Sequence, residues 1–162
     1  MSVNKIDSRK SARKPHNLFM LNLALVHLMM TPGIIALDVG LKAIMIPLAL
    51  SLAIMLISWK ISNRTTVQSD ELVHQHWLLA LKRYRILLIS YAITAALILL
   101  GHLLALSSPD QNMQEILDTV FLRIAIMPVL IAVMICFFLE TSALGLAGKG
   151  ELPVISKRST SS

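Results

Sequence analysis

The chain has 162 residues, 56% of them hydrophobic and only 15% charged, and its 15 Lys+Arg against 9 Asp+Glu give a formal charge of +6. That length fits about one domain, and an apolar share above half with so little charge exceeds the usual soluble balance. The numbers exclude a disordered chain, a disulfide scaffold and an ordinary cytosolic enzyme, and they point to a bilayer protein. The single cysteine, Cys136, rules out an internal disulfide, a C-x-x-C relay and a paired-cysteine zinc site.

A basic arm opens the chain over residues 1–17, with Lys5, Arg9, Lys10, Arg13 and Lys14. The hydrocarbon core of a bilayer is about 30 Å thick and a helix rises about 1.5 Å per residue, so a span needs about 20 mostly apolar residues. Four stretches qualify: 18–37, 43–59, 86–106 and 121–144. The first follows a basic arm, as a signal peptide would. Its apolar run is nevertheless too long for a signal core, and no small-x-small site precedes Asp38. It therefore reads as a retained span. The expected fold is all-α, a polytopic four-transmembrane-helix bundle over residues 18–144. Gly145, Gly148, Gly150 and Pro153 then predict a helix stop and a flexible tail over 145–162.

Two segments beside the spans have helical amphipathic spacing. Ser69 is placed to cap a helix whose first turn holds the acids Asp70 and Glu71. Val73, Trp77, Ala80, Leu81 and Tyr84 then share one face, opposite Glu71, His74, Gln75, Lys82 and Arg85. That face packs on the chain's own bundle or lies on the inner leaflet, with Lys82, Arg83 and Arg85 as a basic cluster near anionic headgroups. Ser108, with Pro109 at the first helical position, predicts a second extension. Along it Met113, Ile116, Leu117, Val120, Phe121 and Ile124 keep the i, i+3, i+4 pattern.

Thirteen of the fifteen basic residues flank the spans on one side, leaving Lys42 and Arg123 on the other. Positive-inside asymmetry of that size predicts both termini in the cytoplasm, most simply across a bacterial inner (plasma) membrane. It argues against a dual-topology exporter, which needs a weak bias. Asp38, Asp110, Glu115 and Asp118 collect on the outer side, while Trp59 and Tyr84 fall at the cytoplasmic interface. Topology thus accounts for most of the excess charge, and no nucleic-acid partner is expected. The partners in view are the lipid bilayer and a membrane protein or second copy of the chain.

The second and fourth spans both open Leu-basic-x-x-x-x-Pro, as Leu41-Lys42 to Pro47 and Leu122-Arg123 to Pro128. If this marks a repeated hairpin, Lys42 would reach Asp118 and Arg123 would reach Asp38 at the outer rim.

An ionisable group inside a span is a functional candidate because burying it is costly. His27 lies mid-span, with Thr31 and Asp38 near the same helical face before Pro32 disturbs the phase. The stripe is either a proton path or a neutral imidazole donating to a backbone carbonyl or to a neighbour such as Asn22. His102 sits nearer the outer end of its span. The two depths differ by roughly 10 Å, which excludes a shared haem iron. His74 and His76 are two apart, point to different sides and read as solvated, not as a metal pair. Glu140 ends the fourth span on the small-residue stripe Ala125, Ala132, Cys136, either facing the bundle interior or emerging into headgroups. The Gly148-Lys149-Gly150 string lacks the remaining glycine, hydroxyl and strand of a phosphate loop. No catalytic constellation, cofactor or metal is expected.

Three classes follow. The first is a non-enzymatic accessory or interaction protein, packing through small residues such as Ser90, Thr94 and Gly101. The second is a proton, ion or small-solute channel or transporter component using His27 and Arg123. The third, a membrane enzyme on a lipid substrate, has no motif.

Overall fold

The computed structural model describes residues 2–37, 45–65 and 70–153. Asp38 and Lys42 lie outside them. The described residues form α1 (Ser2–Leu21), a π-helical segment (Asn22–Met30), α2 (Thr31–Ala36), α3 (Met45–Ser62), α4 (Glu71–Ser107) and α5 (Gln111–Lys149). Four helical stretches are long and apolar enough to cross a membrane: Lys5–Ile34, Met45–Ser62, Glu71–Ser107 and Gln111–Lys149. The chain divides into two compact units, Met1–Tyr84 with Cys136–Ser162, and Arg85–Ile135.

Burial along α3 is inverted relative to a water-soluble helix. Its buried residues are Pro47, Ser51, Ser58 and Ser62, while Met45, Ile46, Leu50, Leu56, Ile57 and Trp59 are exposed. In α5 the buried positions Ala125, Ala132, Cys136, Ala143 and Ala147 are likewise small, with Met127, Ile131, Met134 and Phe138 facing out. Water would penalise that arrangement. In lipid, apolar side chains gain nothing by turning inward, and small residues let helices approach closely.

The helix boundaries differ from expectation in several places. α1 runs back through the basic arm to Ser2 and keeps Pro15 inside it. The structure places an N-cap at Asp70, whose Oδ1 accepts from the Val73 amide at 3.2 Å; Ser69 lies outside the described residues. Asp110 caps α5, its Oδ1 accepting from the Asn112 amide at 2.9 Å, so Ser108 and Pro109 precede the helix. In both cases the carboxylate closest to the first free amides wins the capping role, since it also meets the positive helix end. Pro32 gives a cause for the π-helical segment. Its ring excludes the carbonyl four residues back and it has no N–H, which frees the preceding ladder for wider turns. At the segment's end both the Thr31 amide and its hydroxyl, the latter at 2.9 Å, donate to the Val26 carbonyl.

α5 does not stop at Gly145 or Gly148 but continues to Lys149. It closes with a Schellman turn: Gly150 N–H to the Ala147 carbonyl at 3.2 Å and Glu151 N–H to the Leu146 carbonyl at 3.0 Å. Gly150 has φ +76°, and a Cβ there would lie 2.8 Å from Arg9 Nε. Gly150→Ala is therefore expected to cost about 1–2 kcal/mol from the left-handed backbone alone. Thermal unfolding in detergent checks this.

The Arg85–Ile135 unit is a close helix pair. Thr94 Oγ1 donates to the Ala125 carbonyl at 2.7 Å. A Cβ on Gly101 would lie 2.3 Å from the Phe121 Cβ. Of the small face read along the third span, Thr94 and Gly101 make these contacts and Ser90 is buried, its hydroxyl on the Leu87 carbonyl.

Candidate functional site

In the unit built from both chain ends, α1 supplies His16 just after Pro15. α4 supplies His76 and Arg83, seven residues and so about two turns apart on one face. α5 supplies Glu140, and the Schellman turn presents the Glu151 carbonyl. His16, His76 and Glu140 are all 0% exposed. Glu140 Oε2 meets His16 Nδ1 at 2.6 Å, and Arg83 donates to Glu140 Oε1 at 2.9 Å. His16 Nε2 meets His76 Nδ1 at 2.8 Å, and His76 Nε2 donates to the Glu151 carbonyl at 3.1 Å. Each imidazole nitrogen and each carboxylate oxygen is thereby engaged.

Apolar packing holds these groups in place. Ala12 from α1, Val73 and Trp77 from α4 and Ala147 from α5 form one buried cluster, with Leu18 and Leu72 against it. The Phe19 and Tyr84 rings lie 4.1 Å apart between centroids, and Cys136 Sγ reaches the Arg83 carbonyl at 3.9 Å. The face Val73–Trp77–Ala80–Tyr84 thus packs on the chain itself. Tyr84, expected at the interface, is 2% exposed, while Trp59 is 57% exposed.

A buried carboxylate is tolerable only when paired and hydrogen-bonded, and Glu140 has a guanidinium on one oxygen and an imidazole on the other. The groups run in series, each nitrogen facing the next acceptor, and do not converge on a point. Among the described residues no set of three or more His, Cys, Asp or Glu is arranged to hold a metal ion.

His76 is therefore not solvated, although its neighbour His74 is half-buried, with Nδ1 on the Thr65 carbonyl at 2.8 Å. Nor does Arg83 belong to a free basic cluster, since its guanidinium is used on Glu140; Lys82 and Arg85 stay exposed. His27 is buried and donates to the Asn22 carbonyl at 3.2 Å. Asn22 donates to Ser51 Oγ at 3.0 Å. Thr31 is used on Val26. His102 and Asp118 face each other at 3.5 Å, both more than half-exposed or nearly so, and Arg123 is exposed. The structure thus gives Asp118 a neighbour on α4; Lys42 and Asp38, which the repeat would pair with Asp118 and Arg123, are outside the described residues.

His16 escaped the sequence reading because it sits in a charged arm where an imidazole attracts no attention. The signal was its place directly before an apolar run. Comparison with known protein families, with curated proteins and with solved structures finds no match for the chain.

Proposed function

We propose that the chain is a non-catalytic integral membrane protein, an accessory or interaction subunit of a bacterial inner membrane with both termini in the cytoplasm. The observation that carries this reading is the closed state of the Glu140 network. Both carboxylate oxygens and all four imidazole nitrogens bond within the chain. A substrate site needs a donor or acceptor left open toward the substrate. This cluster instead fastens α1 to α4 and α5. The thirteen-to-two division of basic residues supports the orientation.

Purification of the full chain in mild detergent is expected to bring down a stoichiometric membrane protein or a second copy, and liposomes holding the pure chain should show no proton or ion flux. Monomeric, partnerless protein that conducts would overturn the reading. Tags on each terminus test the orientation, which a C-terminus on the outer side contradicts.

One observation favours a second reading, proton or ion handling at His27. Asn22 is 0% exposed, and its Oδ1 has no partner among the described residues. An unmet acceptor in a buried position costs about 1–3 kcal/mol, which a passing water or ion would relieve. A flux in wild-type liposomes that His27→Ala abolishes would replace the first reading with this one.

A further inference from the structure

The bonds joining Glu140, His16, His76 and the Glu151 carbonyl admit one count of protons. The carbonyl only accepts, so His76 Nε2 carries a hydrogen. The contact between His76 Nδ1 and His16 Nε2 holds one hydrogen, and so does the contact between His16 Nδ1 and Glu140 Oε2. Two hydrogens in either contact would set donor against donor, and none would set acceptor against acceptor. Three contacts hold three protons, and the series is then full. The remaining carboxylate oxygen offers no place for another, because it faces Arg83, which only donates.

Each of these contacts joins different parts of the fold. His16–Glu140 ties α1 to α5, His16–His76 ties α1 to α4, and His76–Glu151 ties α4 to the turn after α5. A fourth proton must open at least one of them.

We propose that the Glu140–His16–His76 series is a proton-operated latch that holds the second half of α1 on α4 and α5 with three protons and releases it when acidification adds a fourth. The groups facing the two imidazoles come from every element around them. Each imidazole faces the other, His16 from α1 and His76 from α4. Arg83 comes from α4, Glu140 from α5, and the residue after the Schellman glycine is Glu151. Arg9 of α1 lies against Gly150, one residue from that carbonyl. Three protons on one carboxylate and two imidazoles offset the charge of Glu140 within the series, so with Arg83 the closed cluster carries one net positive charge, and a fourth proton adds a second with no counter-ion. The released state exposes the imidazoles to water and binds that proton more readily. By linkage, release increases with falling pH below about 6.5, where two free imidazoles and the carboxylate hold more than three protons between them. The latch is independent of whether the protein works as an accessory subunit or conducts.

Hydrogen exchange of the full chain in lipid nanodiscs tests this. Between about pH 6.5 and about pH 4.5, where free imidazoles become fully charged, exchange of residues 11–20 should rise at least about tenfold after correction for intrinsic rates. His76→Gln keeps an acceptor toward His16 and a donor toward Glu151 but takes up no proton, so α1 should stay protected at both pH values. His74→Gln should respond as wild type. Equal wild-type protection at both pH values, an acid response in His76→Gln, or its loss in His74→Gln overturns the latch. If His76→Gln already leaves α1 unprotected at about pH 6.5, ¹⁵N titration of the wild-type imidazoles decides. Titration coincident with α1 opening supports the latch, and titration with α1 still protected refutes it.

Discussion

Glu140→Ala is expected to destabilise the folded chain by about 3–5 kcal/mol, the cost of breaking a buried ion pair by removing one partner. The loss follows from what remains. His16 loses the acceptor at 2.6 Å and Arg83 the acceptor at 2.9 Å, leaving a guanidinium without its counter-charge and an imidazole nitrogen without its partner. Glu140→Gln should cost less than the alanine change, because it fills the space and keeps one acceptor. It remains destabilising, since the amide removes the negative charge that pairs with the Arg83 guanidinium. Denaturant or thermal unfolding in detergent, compared across both variants, checks the order. Equal losses would show that volume, not charge, is what Glu140 contributes.

Gly101→Ala is expected to cost at least about 1–3 kcal/mol by overpacking. The added methyl would meet the Phe121 Cβ at 2.3 Å and its Cγ at 2.5 Å. Rotation about χ1 moves the Cγ but leaves the Cβ where the backbone puts it, so a rotamer change cannot clear the contact and the helices must part. Parting them strains the Thr94 hydroxyl bond to the Ala125 carbonyl, 2.7 Å long. Combining Gly101→Ala with Phe121→Ala should therefore rescue only part of the loss, because the Phe121 Cβ is still present. Complete rescue would mean that the ring alone was the obstacle.

What the sequence made legible follows from the range of the forces involved. The four apolar stretches depend only on composition over about 20 residues, and the structure places a membrane-capable helix over each. That Ala132, Cys136 and Glu140 share one stripe was readable too, because a helix fixes which positions share a face; that Glu140 turns inward was not, since its place at the span end suits bundle and headgroups alike. The partners of Glu140 were not readable either. His16 and His76 lie 124 and 64 positions away, and nothing local marks either. The i, i+2 spacing of His74 and His76 reads as solvation, a reading that holds only where no buried acceptor waits. Arg83 was misplaced for the same reason: a basic residue beside an inner leaflet and one reaching a buried carboxylate look alike in one dimension. The cap of α5 failed differently. Serine was chosen at 108 on preference alone, while Asp110 two places later meets the free Asn112 amide.

A double-mutant cycle between His16 and Glu140, measured by unfolding of His16→Ala, Glu140→Ala and the double variant, addresses the buried latch most directly. If the two groups form one desolvated pair, the double variant should lose well under the sum of the singles, with a coupling of about 2 kcal/mol or more. Losses that add to within about 0.5 kcal/mol would contradict it, and α1 would then be held on the bundle by its apolar face alone.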